Sequence, residues 1–155
     1  MLYCVLPCWF AVLCCVLCCA VLWQIRGKPR DEAEARAFLT SYQEGETCQT
    51  VTAVVATHLP SGRQASQVDI CTVHWSGIPS EQQDAAALAV LVAKEDVMHS
   101  CGGFLIEDED FLRHVERIEG DLDSIRGLPV KATKKAIYAV LSTTEQASGE
   151  AEHLI

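Results

Sequence analysis

Hydrophobic and polar positions divide the chain into two parts near Arg26. The run MLYCVLPCWFAVLCCVLCCAVLW, residues 1–23, is unbroken by charge, and residues 1–25 contain no Asp, Glu, Lys or Arg. Such a run is long enough for a helix to cross roughly 30 Å of hydrocarbon, with Tyr3, Trp9 and Trp23 as interface aromatics, so it predicts an apolar, membrane-anchoring helix. No basic residue precedes it, which argues against a cleavable signal peptide. Arg26, Lys28 and Arg30 follow it and would keep the remainder on the cytoplasmic side.

Beyond Pro29 the pattern becomes that of a folded body. Asp31 with Glu34 three residues on is a capping-box arrangement, and Ala35, Phe38, Leu39 and Tyr42 share one helical face, predicting a helix over 31–42. Residues 49–58 and 64–75 are rich in Val, Thr and Ile and flank the turn formers Pro60, Ser61 and Gly62, which predicts a hairpin. Ser80 and Gln83 cap a second helix over 80–95. Gly102-Gly103 leads into the apolar run Phe104-Leu105-Ile106 that ends at Glu107. A strand over 114–118 closes at Gly120, and a last helix runs from after Pro129 to about Leu141, followed by a polar tail. Strands and helices in this order make an α/β or α+β domain. The organisation is therefore an apolar segment at 1–23, a domain at 24–142 and a tail at 143–155.

Charge narrows the partners. The chain carries 12 Lys+Arg against 21 Asp+Glu, a formal charge of -9, and an acidic body of this kind repels phosphate backbones, which excludes nucleic acid as a bulk partner. Cys48, Cys71 and Cys101 are the body's cysteines and lie far apart in sequence, the pattern of a reduced, intracellular domain. Cys15 and Cys18 have the spacing of a thiol pair, but an uncharged apolar run lacks the polar second shell a metal needs. His58, His74, His99, His114 and His153 are scattered singly and read as ordinary surface or core residues. The acidic run Glu116, Glu119, Asp121 and Asp123 reads as a solvated face, because hard cations require convergent oxygens.

Several motifs in order give Lys28 more weight. Gly27-Lys28-Pro29, then Glu32-Ala33 and Phe38-Leu39, precede a strand with Val51-Thr52-Ala53-Val54. Val73-His74-Trp75 and Ile78-Pro79-Ser80-Glu81 come next, followed by Gly102-Gly103-Phe104-Leu105-Ile106-Glu107, Ile118-Glu119-Gly120-Asp121 and Gly127-Leu128-Pro129. Over residues 24–141 this series resembles the Maf family of nucleoside triphosphate pyrophosphatases, and the Gly-Gly stretch ending in Glu107 is closest to the plant-like eukaryotic branch.

The resemblance implies a Maf-like, ITPase-like α/β fold, a mixed sheet flanked by helices. It implies hydrolysis between the α and β phosphates of a nucleoside triphosphate, with a divalent ion, Mg or Mn, and with a homodimer as the assembly to look for. Lys28 would bind the substrate's phosphates as a mobile point charge. Glu107 stands where the family usually has Gln and would serve as the catalytic carboxylate, accepting but not donating hydrogen bonds. The family's Ser-Pro-Arg-Arg-type loop and the Asp taken as its base have no counterpart here; counting back from Lys28, the place of that Asp falls near Val16. The expectation is a fold whose N-terminal part is missing and replaced by the apolar helix, either a membrane anchor or a gene-model artefact. An enzyme inactive as written and a catalytically dead, membrane-tethered nucleotide-binding module are the functional readings that follow.

Overall fold

The computed structural model describes the backbone of residues 2–6, 10–21 and 24–149 and the side chains of residues 24–142. In chain order the elements are β1 (Leu2–Leu6), β2 (Phe10–Val21), β3 (Gln24–Arg26), α1 (Glu32–Thr40), β4 (Thr47–His58), β5 (Arg63–Trp75) and α2 (Glu81–Val92). Two 3₁₀ turns, Glu95–His99 and Cys101–Gly103, precede α3 (Glu109–Leu112), β6 (Val115–Glu119), α4 (Leu122–Ile125) and α5 (Val130–Gly149). Strand neighbours follow the order β1-β2-β4-β5-β6, with β3 also on β2. Each pairing whose register is described is antiparallel: Leu6 opposite Phe10, Cys19 opposite Arg26, and Thr72 opposite Glu119.

The apolar head corrects the sequence reading. Leu2–Leu6 and Phe10–Val21 are strands, where the sequence predicts a membrane-crossing helix over 1–23, and β2 lies beside β4, so β4 is not the exposed edge that a replaced N-terminus would leave. An apolar run without polar alternation does not distinguish helix from buried strand. In the sequence Pro7 weighs against one long helix, since a proline has no N–H for the ladder and clashes with the preceding turn. It leaves stretches of strand length on either side, rich in β-favouring Val. Among the described residues no helix is long and apolar enough to cross a membrane.

The chain divides into two compact units, one of Met1–Val16, Thr52–Asp69 and Gly127–Ile155, the other of Leu17–Val51 and Ile70–Arg126. The first has a core of small side chains, Val54, Ala56, Ala132, Ala136 and Val140. Ala132, Ala136 and Val140 fall four residues apart on one stripe of α5, so a narrow face suffices for close packing. This helix outruns its expected end at Leu141, because nothing before Gly149 breaks it; Ser142 Oγ donates to the Tyr138 carbonyl at 2.6 Å instead of leaving the ladder.

The second unit carries the larger core, with Ala35, Leu39, Tyr42, Val73, Trp75, Leu88, Phe104 and Phe111 buried together. Helix α1 begins as its sequence indicates: Asp31 Oδ1 accepts from the Glu34 N–H at 2.8 Å. The reciprocal arm is displaced by one residue, since the Glu34 carboxylate takes the Arg30 N–H at 2.7 Å. Helix α2 is shorter than expected. Asp84 sits at φ -155, ψ 87 and its Oδ1 accepts from the Ala87 N–H at 2.9 Å, so it acts as a second N-cap inside the stretch opened by Ser80. The helix stops at Val92, and Glu95–His99 is 3₁₀.

Candidate functional site

Lys28 lies on the segment between β3 and α1, exposed, in an open cleft of about 400 Å³ lined by Gln24, Arg26, Gly27, Arg30, Glu34 and Phe38 among others. The backbone beneath it is pinned. The Gly27 carbonyl accepts from the Gly102 N–H at 2.9 Å, and the Gly102 carbonyl accepts from Tyr42 Oη at 2.7 Å. Pro29 is buried, and the α-carbon of Gly103, at φ +72, faces the Pro29 ring so closely that an added Cβ would stand 3.4 Å from Pro29 Cγ. Gly102 and Gly103 both adopt positive φ, which an ordinary side chain disfavours, so the Gly-Gly pair is what lets this loop reach Gly27.

Three cations line the cleft. Arg30 is taken up by Glu34 in a bidentate pair, Nη2 to Oε1 at 2.9 Å, and these hydrogen bonds hold the Glu34 carboxyl below the usual carboxylate range. Arg26 is buried; its Nη1 donates to Ser41 Oγ at 2.7 Å and to the Phe38 carbonyl at 3.3 Å, and its guanidinium lies 4.8 Å from the Phe38 ring centroid. Arg30, although its side chain is 84% exposed, is committed to Glu34 and Arg26 is buried, so Lys28 is the exposed cation of the cleft that Glu34 does not engage.

Glu107 is held differently and is not among the residues lining that cleft. It pairs with Arg126, Nε to Oε1 at 3.3 Å, both side chains about half exposed. Its backbone is fixed by its neighbours: Ile106 is buried, and Asp108 caps α3 by accepting from the Asp110 N–H at 2.9 Å. Lys94 Nζ bridges Asp108 at 2.7 Å and Asp110 at 2.9 Å, hydrogen bonds that lower both carboxyls and raise the lysine.

The remaining titratable groups have local roles. His58 Nδ1 lies 2.7 Å from Ser61 Oγ in the hairpin turn, His114 Nδ1 lies 2.9 Å from the Gly77 carbonyl, and His74 Nε2 lies 3.2 Å from Glu119, which also meets Arg117. His153 lies outside the described residues, as do the side chains of Cys15 and Cys18. Among the described residues no three His, Cys, Asp or Glu side chains converge on a metal-sized site. The cleft's carboxylate, Glu34, is occupied by Arg30, so these residues do not fit a resident Mg or Mn ion.

The family model described as Maf-like protein matches residues 9–140. The chain belongs to that family. The match begins inside the apolar head, so the Maf-like pattern extends further towards the N-terminus than the motifs from Gln24 onwards indicate. The chain is 36% identical over 117 residues to a 7-methyl-GTP pyrophosphatase of Dictyostelium discoideum, covering 75% of this chain and 55% of the relative. It is 31% identical over 126 residues to a dTTP/UTP pyrophosphatase of Salinibacter ruber, covering 81% and 58%, and 27% identical over 107 residues to one of Methanosarcina barkeri, covering 69% and 51%. The chain spans about half the length of these curated relatives.

Proposed function

We propose that this Maf-like chain binds a nucleoside triphosphate and serves its hydrolysis to a monophosphate and pyrophosphate. The observation that carries the reading is Lys28, exposed in a cation-lined cleft on a backbone fixed by the Gly102 amide, within a family whose relatives are named as nucleotide pyrophosphatases. In the reaction a water oxygen bonds to the α phosphorus, the bond to the bridging oxygen breaks, and pyrophosphate leaves with the developing negative charge. Positive groups that stabilise this charge lower the barrier. Lys28 supplies one of them directly, as an ammonium on a flexible stem that follows the phosphates. Glu107 is proposed as the carboxylate that takes the proton of the attacking water, a role that requires it to exchange Arg126 for that water.

The relatives' named substrates set the assay. 7-methyl-GTP, dTTP and UTP are compared with the wild-type chain and with Lys28→Ala, measuring nucleotide binding by calorimetry and pyrophosphate release. A hydrogen bond to a charged group is worth about 1.5–3 kcal/mol, so Lys28→Ala is expected to weaken triphosphate binding by roughly ten- to a hundredfold. Because the family's Ser-Pro-Arg-Arg-type loop and Asp have no counterpart among the motifs found here, turnover is expected at background, and binding is the sharper readout. Equal binding by wild type and Lys28→Ala would sink the phosphate role of Lys28.

A further inference from the structure

Strand β3 inverts the usual burial of its side chains: Ile25 is 82% exposed, whereas Arg26 is 6% exposed. Turning a guanidinium inward is costly unless it is paired and fully hydrogen-bonded. Arg26 meets neutral groups instead, Ser41 Oγ, the Phe38 carbonyl and the faces of Phe38 and Tyr42, and among the described residues its buried Nε has no hydrogen-bond partner. The C-terminal carbonyls of α1 offer a partial negative charge, which accounts for the direction of the side chain but is small against the cost of burial. A residue that breaks local rules in this way, two positions before an exposed lysine, is expected where function demands it.

The connection between Arg26 and Lys28 is one residue long. Arg26 ties the end of β3 to the last turn of α1, Gly27 is held by the Gly102 amide, and Tyr42, on whose ring the guanidinium lies, closes the circuit through the Gly102 carbonyl. We propose that Arg26 is a positioning residue: it locks the Gly27–Lys28 backbone onto α1 so that the Lys28 ammonium meets the phosphates of a nucleoside polyphosphate from a fixed origin. The proposal rests on the phosphate-binding reading of Lys28 and deepens it. Arg26, shut away from solvent, acts through Lys28 and not by touching the ligand.

Two measurements on the full chain test it. The first is calorimetric binding of inorganic tripolyphosphate to wild type, Arg26→Gln, Arg26→Lys, Ser41→Ala, Lys28→Ala and the Arg26→Gln/Lys28→Ala pair. Arg26→Gln is expected to weaken binding about tenfold and Ser41→Ala, which keeps the charge but loses its anchor, about threefold, with Arg26→Lys between wild type and Arg26→Gln. Adding Arg26→Gln to Lys28→Ala should then cost little more. Losses that simply multiply, or wild-type binding by Ser41→Ala, overturn the proposal. The second is hydrogen exchange of the Gly102 amide in ligand-free protein, expected to quicken by about tenfold in Arg26→Gln and Ser41→Ala and to stay unchanged in Lys28→Ala. Unaltered exchange in the first two also overturns it. Failure of wild type to bind tripolyphosphate would sink the phosphate reading alone, since the exchange measurement still decides what Arg26 does. If Arg26→Gln does not fold, Ser41→Ala carries both arms.

Discussion

The backbone at Lys28 is fixed from beneath by aromatic packing and main-chain hydrogen bonds, whereas the backbone at Glu107 is flanked by surface ion pairs. Under Lys28, Tyr42 stacks on Trp75 at 4.6 Å and meets Phe104 edge-on at 5.8 Å, and the neighbouring arginine, Arg26, is 6% exposed. Beside Glu107 the neighbouring arginine, Arg126, has a side chain 53% exposed, and Lys94 bridges two aspartates in partial contact with water. Interactions of the first kind respond to volume and shape and hardly to pH or salt. Those of the second kind respond to protonation and screening and hardly to volume. Two segments of one unit, each carrying a candidate functional residue, are therefore expected to fail under different perturbations.

The largest effect should come from Trp75→Ala. Trp75 is fully buried, stacked on Tyr42 and edge-on to Phe104 at 5.3 Å. Truncating a buried Trp costs about 3–5 kcal/mol, a large part of the ~5–15 kcal/mol that holds a domain together. Thermal melts should show a strongly lowered midpoint or no cooperative transition. A midpoint near that of wild type would mean that the aromatic cluster is not what supports the Lys28 segment.

Within the Lys28 segment two glycines sharpen the point. Gly103→Ala places a Cβ at φ +72 against Pro29, a left-handed conformation that costs roughly 1–2 kcal/mol for an L-residue. Gly27→Ala meets nothing within 4 Å and should change stability by less than about 0.5 kcal/mol. Denaturant unfolding of both variants distinguishes the glycine that the turn requires from the one that it tolerates. Equal losses would place the backbone constraint at the Gly27-Lys28-Pro29 motif itself.

Much of this was legible in the sequence, and the misses have physical causes. Asp31, Ser80 and the Pro60–Gly62 turn are local signals, and each opens or closes an element close to where its chemistry indicates. The neighbours of Lys28 in its motif single it out, whereas Arg26 reads from the sequence only as a membrane-flanking charge. The available signal was the order Ile25-Arg26 at the end of an apolar strand, where an alternating pattern puts one of the two on the wrong side. The head's run lacks polar alternation, so its periodicity does not separate a buried strand from a helix, and Pro7 is its one signal against a long helix. Asp84 as a second cap lay within a helical-looking Ala-rich stretch. The Glu107–Arg126 and Lys94–Asp108 pairs join residues distant in the chain, and no local spacing announces them.

Acid and base titrations should reveal the ionic side of the comparison. Lys94 lowers the Asp108 and Asp110 carboxyls by hydrogen bonding, so the folded state releases their protons more readily than the unfolded chain. That contribution is present above the ordinary aspartate value of 3.8 and is lost as pH falls through the still lower folded values. Lys94 is raised above its ordinary 10.5, so its contribution is present below that value and disappears as pH rises through the folded one. The difference in melting temperature between wild type and Lys94→Met is therefore expected to be flat between about pH 5 and 9 and to shrink at both extremes. A difference that persists unchanged well below the aspartate value would assign the effect to packing of the lysine stem.

The smallest effect is expected at Arg126. Its Nε stands 3.3 Å from Glu107 Oε1, with side-chain exposures of 53% and 56%, so both groups remain largely hydrated in the pair. Exposed pairs contribute about 0.2–1 kcal/mol, and salt at 1 M shortens the screening length to about 3 Å. Arg126→Ala should lower stability by no more than about 0.5 kcal/mol at low salt and by nothing measurable at 1 M salt. Glu107→Gln should behave alike, because a solvated Arg126 left without its carboxylate is not a buried unpaired charge. This near-neutrality matters for Glu107, since a carboxylate that is to accept a proton from water must leave its partner at little cost. A loss above about 2 kcal/mol in Arg126→Ala, insensitive to salt, would mark the pair as structural, and Glu107 would then be an anchor of its loop and not a group free to act on a ligand.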